Sequence, residues 1–394
     1  MADRIVASAE TIRKAVARVS PAYVRKTTIP ILGCAMLAYG DGAASLTTTD
    51  LEMQITSSFD AEVEGIGRVV IPFYALRWIA GMIGDVTFEI IEPKNKTPPK
   101  LVASDTSGAK LSINLLYPQE DFPMMLVGDG FASPMQISQA EVMRVLTFTR
   151  HAVSTEETRY YLNGVYLHGF DGKLRAVATD GHRMAIIDTE IGWPEDATGD
   201  RWPKREAWMP KNHLGPKEQI TQGLIVPTDT VAAILGAIDK RGNEPVMVKI
   251  APTRLVVESS GWSITAKVID GTYPNYERVI PRAETRAVFN IDEASFRHIR
   301  PIWGGQSGMA VRIDLAAKTM TARAPDAECE ISAPLASVQV DVVPFTIGLN
   351  GRYIREGVKA IGGVGRFEVV NPGEPAKVRG EDPSMLLILM PMRV

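Results

Sequence analysis

One short stretch, ATDGHR at residues 178–183, contains the residue types needed for acid–base chemistry. Asp180 and His182 stand two positions apart, and a carboxylate beside an imidazole can move a proton to or from a substrate. The stretch is equally typical of a turn between two strands, because Asp-Gly is a common turn pair. No nucleophile motif such as GxSxG accompanies it, which favours the turn. An enzyme acting through Asp180 and His182 remains the alternative hypothesis.

Other candidate ligand sites are incomplete. The glycine-rich stretches at 304–308 and 362–365 lack the GxxxxGK[ST] pattern of a phosphate-binding loop. Asp50 and Glu52 offer only two carboxylates on one short strand, too few to predict a metal site. The sequence therefore predicts no enzyme, no cofactor and no metal.

Composition narrows the class of protein. The 394 residues are 45% hydrophobic and 23% charged, as in globular proteins, and this length predicts two or three domains. The two cysteines, Cys34 and Cys329, form no zinc motif or disulfide framework. Residues 1–20 do not resemble a signal peptide, and the longest apolar run, 385–392, is too short to span a membrane. We expect a cytoplasmic protein without membrane contact.

The elements that must position these residues form a threefold repeat. Six segments place apolar residues along one helical face. Their apolar positions are Ile12, Ala15, Val16 and Val19; Leu76, Ile79, Ala80 and Ile83; Val142, Val145, Leu146 and Thr149; Val231, Ile234, Leu235 and Ile238; Ser295, Phe296 and Ile299; and Ile354, Gly357, Val358 and Ile361.

The six segments pair in order, with β-rich runs between them. Candidate caps precede the first helix of each pair: Ser8, Ser138, and Asn290 or Asp292. The pattern predicts an α+β fold in which each repeat packs two helices on antiparallel sheets. We expect domains at 1–130, 131–283 and 284–394, with an extended loop at 192–223.

Charge is unevenly distributed. The whole chain has a net charge of -3, yet the six helical segments carry 13 Lys or Arg and 7 Asp or Glu residues. Ordinary solvated helix faces would explain this, since helix ends attract Lys and Arg. A shared surface that follows a phosphate backbone would also explain it. The candidate DNA-binding residues on these segments are Arg13, Lys14, Arg77, Arg144, Arg297, Arg352 and Arg355.

The apolar stretch at residues 385–394, MLLILMPMRV, has two interpretations. Leu387 and Leu389 fit a core strand. An ordered, Met-containing segment at this position could instead line an adaptable peptide groove.

Seven motifs, in order along almost the whole chain, resemble the bacterial DNA sliding clamps, the β subunits of DNA polymerase III. They are TIPILG at 28–33, TDLE at 49–52, DFP at 121–123, RYYLNGV at 159–165, ATDGHR at 178–183, YPNYERVIP at 273–281 and MPMR at 390–393.

The resemblance implies a fold and a function. It implies three similar domains per subunit and two subunits closed head to tail around duplex DNA, with helices lining the channel. The implied protein is a non-catalytic processivity factor that binds DNA without reading its sequence. Implied partners are the replicative polymerase catalytic subunit, an ATP-dependent clamp loader, and other replication and repair proteins with clamp-binding motifs.

The resemblance also implies site residues. The partner-peptide pocket would comprise Leu162, Thr179, Gly181, His182, Arg183, Met184, Pro274, Arg278, Val279, Ile388, Met390, Pro391 and Met392. Arg25, Lys26, Tyr160 and Tyr161 would face DNA, and Leu111 and Ile113 would meet Ile302 of another subunit. Three features depart from the family pattern: Met184 replaces a common Leu, Glu156 replaces a neutral or polar residue, and region 192–223 is long.

Overall fold

The structure is a computed structural model that describes residues 3–91, 98–197, 223–239, 244–297, 310–323, 330–335 and 337–393. The described helices are α1 (Ala9–Val19), α2 (Phe73–Ile79), α3 (Gln139–Arg150), α4 (Thr228–Ala237), α5 (Glu293–Arg297) and α6 (Gly351–Ala360).

The described strands are β1 (Asp3–Ser8), β2 (Cys34–Gly40), β3 (Ala43–Thr49), β4 (Met53–Asp60), β5 (Glu62–Glu64), β6 (Gly67–Pro72), β7 (Asp85–Ile91), β8 (Lys100–Asp105), β9 (Lys110–Asn114), β10 (Met135–Ser138), β11 (Gly164–Phe170), β12 (Lys173–Thr179), β13 (Arg183–Gly192), β14 (Gly223–Pro227), β15 (Pro245–Ala251), β16 (Arg254–Ser259), β17 (Trp262–Lys267), β18 (Ala287–Asp292), β19 (Ala310–Asp314), β20 (Thr319–Arg323), β21 (Glu330–Pro334), β22 (Ser337–Val340), β23 (Thr346–Asn350), β24 (Val364–Val369), β25 (Ala376–Arg379), β26 (Met385–Leu389) and β27 (Pro391–Met392).

The chain divides into two compact units. Unit 1 comprises Met1–Val142 and Ala232–Val268, and unit 2 comprises Met143–Val231 and Ile269–Val394. Unit 1 contains a five-stranded sheet in the order β5-β1-β7-β8-β9 and an eight-stranded sheet in the order β10-β15-β16-β17-β4-β3-β2-β6. Unit 2 contains a nine-stranded sheet in the order β14-β11-β12-β13-β26-β25-β24-β18-β22 and a five-stranded sheet in the order β21-β20-β19-β23-β27. All of the described pairings are antiparallel, which confirms the predicted fold class.

Each of the two larger sheets joins strands from two predicted domains. In unit 1, β4 pairs with β17, with Ile55 opposite Ile264. In unit 2, β13 pairs with β26, with Met184 opposite Ile388. The two units therefore divide the predicted middle repeat between them, and the three-domain division stays a prediction. The predicted loop at 192–223 is described only to residue 197 and at 223.

Helix boundaries follow the predicted caps. The Ser8 side chain accepts from the Thr11 backbone N–H at 3.1 Å, and Ser138 accepts from Glu141 at 3.2 Å. Asp292, rather than Asn290, caps α5 by accepting from the Ser295 backbone N–H at 2.6 Å.

The apolar helix faces are mostly buried, with one exception. Ile12, Val16 and Val19 of α1 are buried as predicted. The second segment was predicted to bury Ile83, but α2 ends at Ile79 and Ile83 is exposed. The predicted Ile299 lies outside the described residues.

Candidate functional site

The ATDGHR stretch is a tight turn between β12 and β13 in unit 2. Asp180 Oδ1 accepts from the backbone N–H groups of His182 and Arg183 at 2.9 and 3.0 Å. The Thr179 hydroxyl donates to the Arg183 carbonyl at 2.6 Å and accepts from the Gly181 N–H at 3.1 Å. Gly181 has φ +88°, a conformation that a side chain would strain. The carboxylate that suggested catalysis is therefore engaged in holding the turn.

Arg183 anchors this turn to α6. Its side chain is 7% exposed, and Nε donates to Asp180 Oδ2 at 3.1 Å. Nη1 donates to the Glu356 carboxylate on α6, and the guanidinium lies 4.4 Å from the ring centroid of Tyr353. The resemblance implied that Arg183 lines the peptide pocket. That role stays a prediction, and the structure places the charged group of Arg183 in a largely buried intramolecular network.

The segment after β26 runs along the same turn. The Met390 N–H donates to the His182 carbonyl at 2.9 Å. The chain then forms the short strand β27, in which Pro391 lies opposite Leu349 of β23 and Met392 lies opposite Gly348. Met390 thus lies between a strand of one sheet and a strand of another, beside the turn, and the residue is 36% exposed.

An apolar cluster underlies the turn. Leu162, Met184 and Ile388 are buried together with Val177, Ile186, Ile225, Tyr273 and Tyr276. These three predicted pocket residues form a floor, whereas Gly181, His182, Pro274, Arg278, Val279 and Met390 are exposed. The structure therefore brings together residues from four separate stretches of chain.

Two tyrosines fix the stretch that carries Pro274, Arg278 and Val279. Tyr273 stacks on Tyr166 of β11 with ring centroids 4.5 Å apart. The Tyr276 hydroxyl lies 2.9 Å from His168 Nε2 and accepts from Arg175 Nη1 at 3.4 Å. His168 Nδ1 faces the Gly169 carbonyl at 2.9 Å, which can only accept, so Nδ1 donates and Nε2 accepts from Tyr276.

An ion pair flanks the other side of the turn. Arg159 Nε and Nη2 donate to the two carboxylate oxygens of Glu156 at 2.7 and 2.5 Å. The hydrogen bond from Arg159 holds the pKa of Glu156 below its ordinary value. A side chain at Gly181 would come within 2.6 Å of Arg159 Nη1, so the guanidinium rests on the glycine.

A family model and a related protein sequence both match this chain, and they point to the same family. A family model described as the DNA polymerase III beta subunit, central domain, matches residues 136–200. A protein named beta sliding clamp from Caulobacter vibrioides strain NA1000 is 31% identical over 391 residues, covering 97% of this chain and 97% of that protein. The chain belongs to the bacterial β sliding clamp family.

Solved structures of sliding clamps agree along the whole chain. A Caulobacter crescentus clamp superposes with a TM-score of 0.83 at 29% identity, covering 100% of this chain and 99% of that one. A Bartonella birtlesii clamp bound to griselimycin gives 0.83 at 26% identity, covering 100% of both chains. This protein is thus a DNA sliding clamp, a processivity factor and not an enzyme, and the resemblance seen in the sequence is confirmed.

The clamp's predicted DNA-facing residues in unit 1 differ in whether groups of the protein itself already bind them. Arg25, Lys26 and Arg77 are exposed. Arg13 donates to the Ala80 carbonyl at 3.0 Å, and Lys14 pairs with Glu10 at 2.7 Å. The first three are therefore the stronger candidates for phosphate contacts.

In unit 2 the clamp's candidate cations are more constrained. Arg144 pairs with Asp382 at 2.7 Å and donates to Ser384, so its charge is partly satisfied. Arg352 and Arg355 each lie 3.9 Å from Glu356. Arg297 and Tyr160 are exposed, and Tyr161 meets Tyr160 edge to face at 5.8 Å. The described helices still carry twice as many basic as acidic residues, ten against five.

The clamp's predicted subunit contact is only partly described. Leu111 and Ile113 lie half-buried on one face of β9, between exposed residues. β9 is an edge strand, and its outer side pairs with no described strand. Ile302 lies outside the described residues. Among the described residues, no His, Cys, Asp or Glu group could hold a metal ion.

Sequence reasoning missed the contacts that support the stretch at residues 273–279. His168, Arg175 and Tyr276 are too far apart in sequence to be paired by a local pattern, and Glu356 was counted only as a helix charge. The Tyr-x-x-Tyr spacing at 273–276 was the available signal, because both rings are buried on the same sheet.

Two histidines should make this part of the clamp acid-sensitive. Burial lowers the pKa of His168 to about 4, and burial, then Arg183, lowers that of His151 to about 4. Unfolded histidine titrates near 6.5, so the unfolded state binds more protons below that pH and stability falls as pH falls towards 4. We expect His168 alone to cost about 2 kcal/mol between pH 7 and pH 5.

The measurement is the melting temperature against pH for wild type and His168→Gln. The substitution should flatten the dependence between pH 7 and pH 5, and His151→Gln should flatten it further. An unaltered slope in His168→Gln would contradict the assignment.

Proposed function

We propose that unit 2 binds extended peptide segments of the polymerase and of other replication and repair proteins in the groove around the 179–183 turn. The supporting observation is that Leu162, Met184 and Ile388 form one apolar floor beside the Met390–His182 hydrogen bond. Exposed Val279 and Met390 border this floor, and an apolar surface with a few polar groups suits aliphatic and aromatic side chains. Met184 and Met390 can repack around different side chains.

We further propose a head-to-tail dimeric ring of three similar domains per subunit, at 1–130, 131–283 and 284–394. Two observations support it: Leu111 and Ile113 lie half-buried on edge strand β9, and the clamp structures superpose on the whole chain. An ATP-dependent loader would open and close this ring, and it would act in the cytoplasm. None of the described helices is long and apolar enough to cross a membrane.

The DNA-facing surface in this proposal includes exposed Arg25, Lys26, Arg77 and Arg297, together with Tyr160. Encirclement requires only weak phosphate contacts, so the ring can move along DNA while a tethered polymerase gains effective concentration at the primer end.

The test is retention of the loaded protein on circular and linear DNA. We expect closed circular duplex to retain the ring and linear duplex of the same sequence to lose it from the ends. Direct binding to short duplexes should be weak and should fall with salt, because it depends on phosphate neutralisation. Nanomolar, sequence-selective binding to a short linear duplex would contradict encirclement.

A further inference from the structure

Unit 1 contains a turn built like the one that borders the proposed peptide groove. It is the TDLE turn between β3 and β4. Asp50 Oδ1 accepts from the backbone N–H groups of Glu52 and Met53 at 2.9 and 2.6 Å. The Thr49 hydroxyl accepts from the Leu51 N–H at 3.1 Å, and Leu51 has φ +75°. The ATDGHR turn of unit 2 has the same three hydrogen bonds and a glycine with φ +88° at the equivalent position.

The strands beside the two turns pair in the same way. In unit 1, β17 pairs with β4, and the Lys267 N–H at the end of β17 donates to the Glu52 carbonyl at 2.8 Å. In unit 2, β26 pairs with β13, and the Met390 N–H that follows β26 donates to the His182 carbonyl at 2.9 Å. These two backbone hydrogen bonds set a residue-by-residue correspondence between the sites.

A Tyr-Pro pair begins a corresponding stretch in each unit, at 117–118 and at 273–274. Tyr117 packs against an apolar cluster of unit 1 that includes Phe122, and Tyr273 belongs to the apolar cluster of unit 2. Unit 1 therefore contains the backbone frame of a second groove.

The side chains of the floor differ between the two frames. Four floor positions of unit 2, on the strands beside the turn, are apolar and buried: Val177, Met184, Ile186 and Ile388. The strand pairing gives each of them a polar counterpart in unit 1: Thr47, Gln54, Thr56 and Thr265. The floor of unit 1 therefore has hydroxyl and amide groups where that of unit 2 has hydrocarbon.

These polar groups already form hydrogen bonds within the chain. The hydroxyls of Thr47 and Thr56 are 3.0 Å apart and share a hydrogen bond. Gln54 is 7% exposed, and its Oε1 accepts from the Met125 N–H at 2.8 Å. An aliphatic anchor residue placed here would gain little apolar contact, and displacing Met125 would leave the buried Gln54 oxygen without its donor. Both effects oppose the binding of an apolar peptide.

We propose that unit 1 contains a second copy of the groove and that its polar floor excludes apolar peptides. The residues that determine this specificity are Thr47, Gln54, Thr56 and Thr265. Selectivity here comes from making one of two similar sites unfavourable. Each subunit then offers a single peptide site, although it contains two turns of the same build. The inference rests on the peptide groove proposed above for unit 2.

The first test counts binding sites on the full chain. A clamp-binding peptide with aliphatic and aromatic anchors is titrated calorimetrically into the wild type, and we expect one peptide per chain. Met390→Ala with Met392→Ala, which disables the groove of unit 2, should leave no second saturable site. Two peptides per chain, or tight binding that survives in the disabled protein, would overturn the inference.

The second test converts the floor of unit 1. It starts from the disabled protein with Lys267→Met added, because Lys267 stands where unit 2 has Met390. Four changes that roughly keep side-chain volume make the floor apolar: Thr47→Val, Gln54→Met, Thr56→Val and Thr265→Val. We expect them to raise the peptide affinity about tenfold, since each apolar group that an anchor contacts strengthens binding about fourfold. Lys267→Met without the floor changes should leave the affinity unchanged.

A matched control adds the same kinds of apolar group elsewhere in unit 1. Gln136→Met on β10 and Thr87→Val on β7 lie on strands that do not pair with β3 or β4, and they should leave the affinity unchanged. Melting temperatures show whether each variant is folded. If the four floor changes prevent folding, Gln54→Met with Thr265→Val alters a single facing pair and should raise the affinity about fourfold.

The outcomes separate this inference from the groove of unit 2. If the wild type binds one peptide through Met390 and Met392 but the converted floor adds no affinity, the inference is wrong and the groove of unit 2 stands. If the control raises the affinity as much as the conversion, the gain is non-specific and the inference is overturned. If no peptide binds the wild type, the groove proposed for unit 2 fails, and the inference fails with it.

Discussion

Deletion of residues 390–394 is expected to weaken binding of a polymerase-derived peptide by about a hundredfold or more. Met390 is exposed beside the turn, and the residues that follow it form β27 along the edge of β23. Apolar side chains that contact a partner near the centre of an interface supply most of its binding energy, and losing such a cluster costs several kcal/mol. Calorimetric titration of intact and truncated protein measures the effect.

Two controls separate lost contacts from lost structure. Met390→Ala combined with Met392→Ala retains the backbone of β27, and we expect it to weaken the peptide nearly as much as the deletion. Light scattering should give a mass near twice 43.0 kDa for every variant, because the predicted subunit contact of Leu111 and Ile113 with Ile302 includes none of the altered residues. Unchanged affinity in a dimeric truncated protein would show that this segment is not part of the groove.

Replacement of Arg183 by Met should cause a large loss of stability around the β12–β13 turn and α6. The substitution leaves the Glu356 and Asp180 carboxylates without their shared cation, and it removes the cation from the face of Tyr353. Removing one partner of a buried ion pair costs about 3–5 kcal/mol, because the remaining charge stays desolvated. Peptide binding should fall as well, since Arg183 holds the turn in place.

Hydrogen exchange of the β13 and α6 amides is the suitable measurement. A chain with two compact units need not unfold in one step, so a local opening free energy is better defined than a global one. Arg366→Met is the matched control, because Arg366 pairs with Glu368 at 3.3 Å through a side chain that is 60% exposed. A loss below about 1 kcal/mol in Arg183→Met would place this ion pair with ordinary surface pairs.

Local features of the fold could be predicted from the sequence because they depend on neighbouring residues. The Ser8 cap and the buried face of α1 follow from chemistry within one or two helical turns. Ile83 shows the limit of the method. Its spacing fits a helix, but the chain leaves α2 at Ile79, and the Ile83 N–H donates to Asp105 Oδ2 at 3.0 Å instead.

The pairing of strands that are distant in the sequence could not be predicted, for a different reason. The antiparallel match of Met184 with Ile388 joins distant stretches, and many alternative registers would satisfy the same apolar pattern. The groove positions were located through family motifs rather than through chemistry. Motif matching gave their places in the sequence, but it could not show that Arg183 is buried or that Glu156 binds Arg159.

The pairing of β13 with β26 has a consequence for how the protein is made. On the ribosome, β13 emerges about 200 residues before β26, the strand that pairs with its edge. The backbone groups along that edge therefore stay unpaired while the intervening chain is synthesised. Such an apolar edge is a template for pairing with another nascent chain. Slower synthesis after β13 would lengthen the time for which the edge of Arg183–Gly192 is open to such pairing.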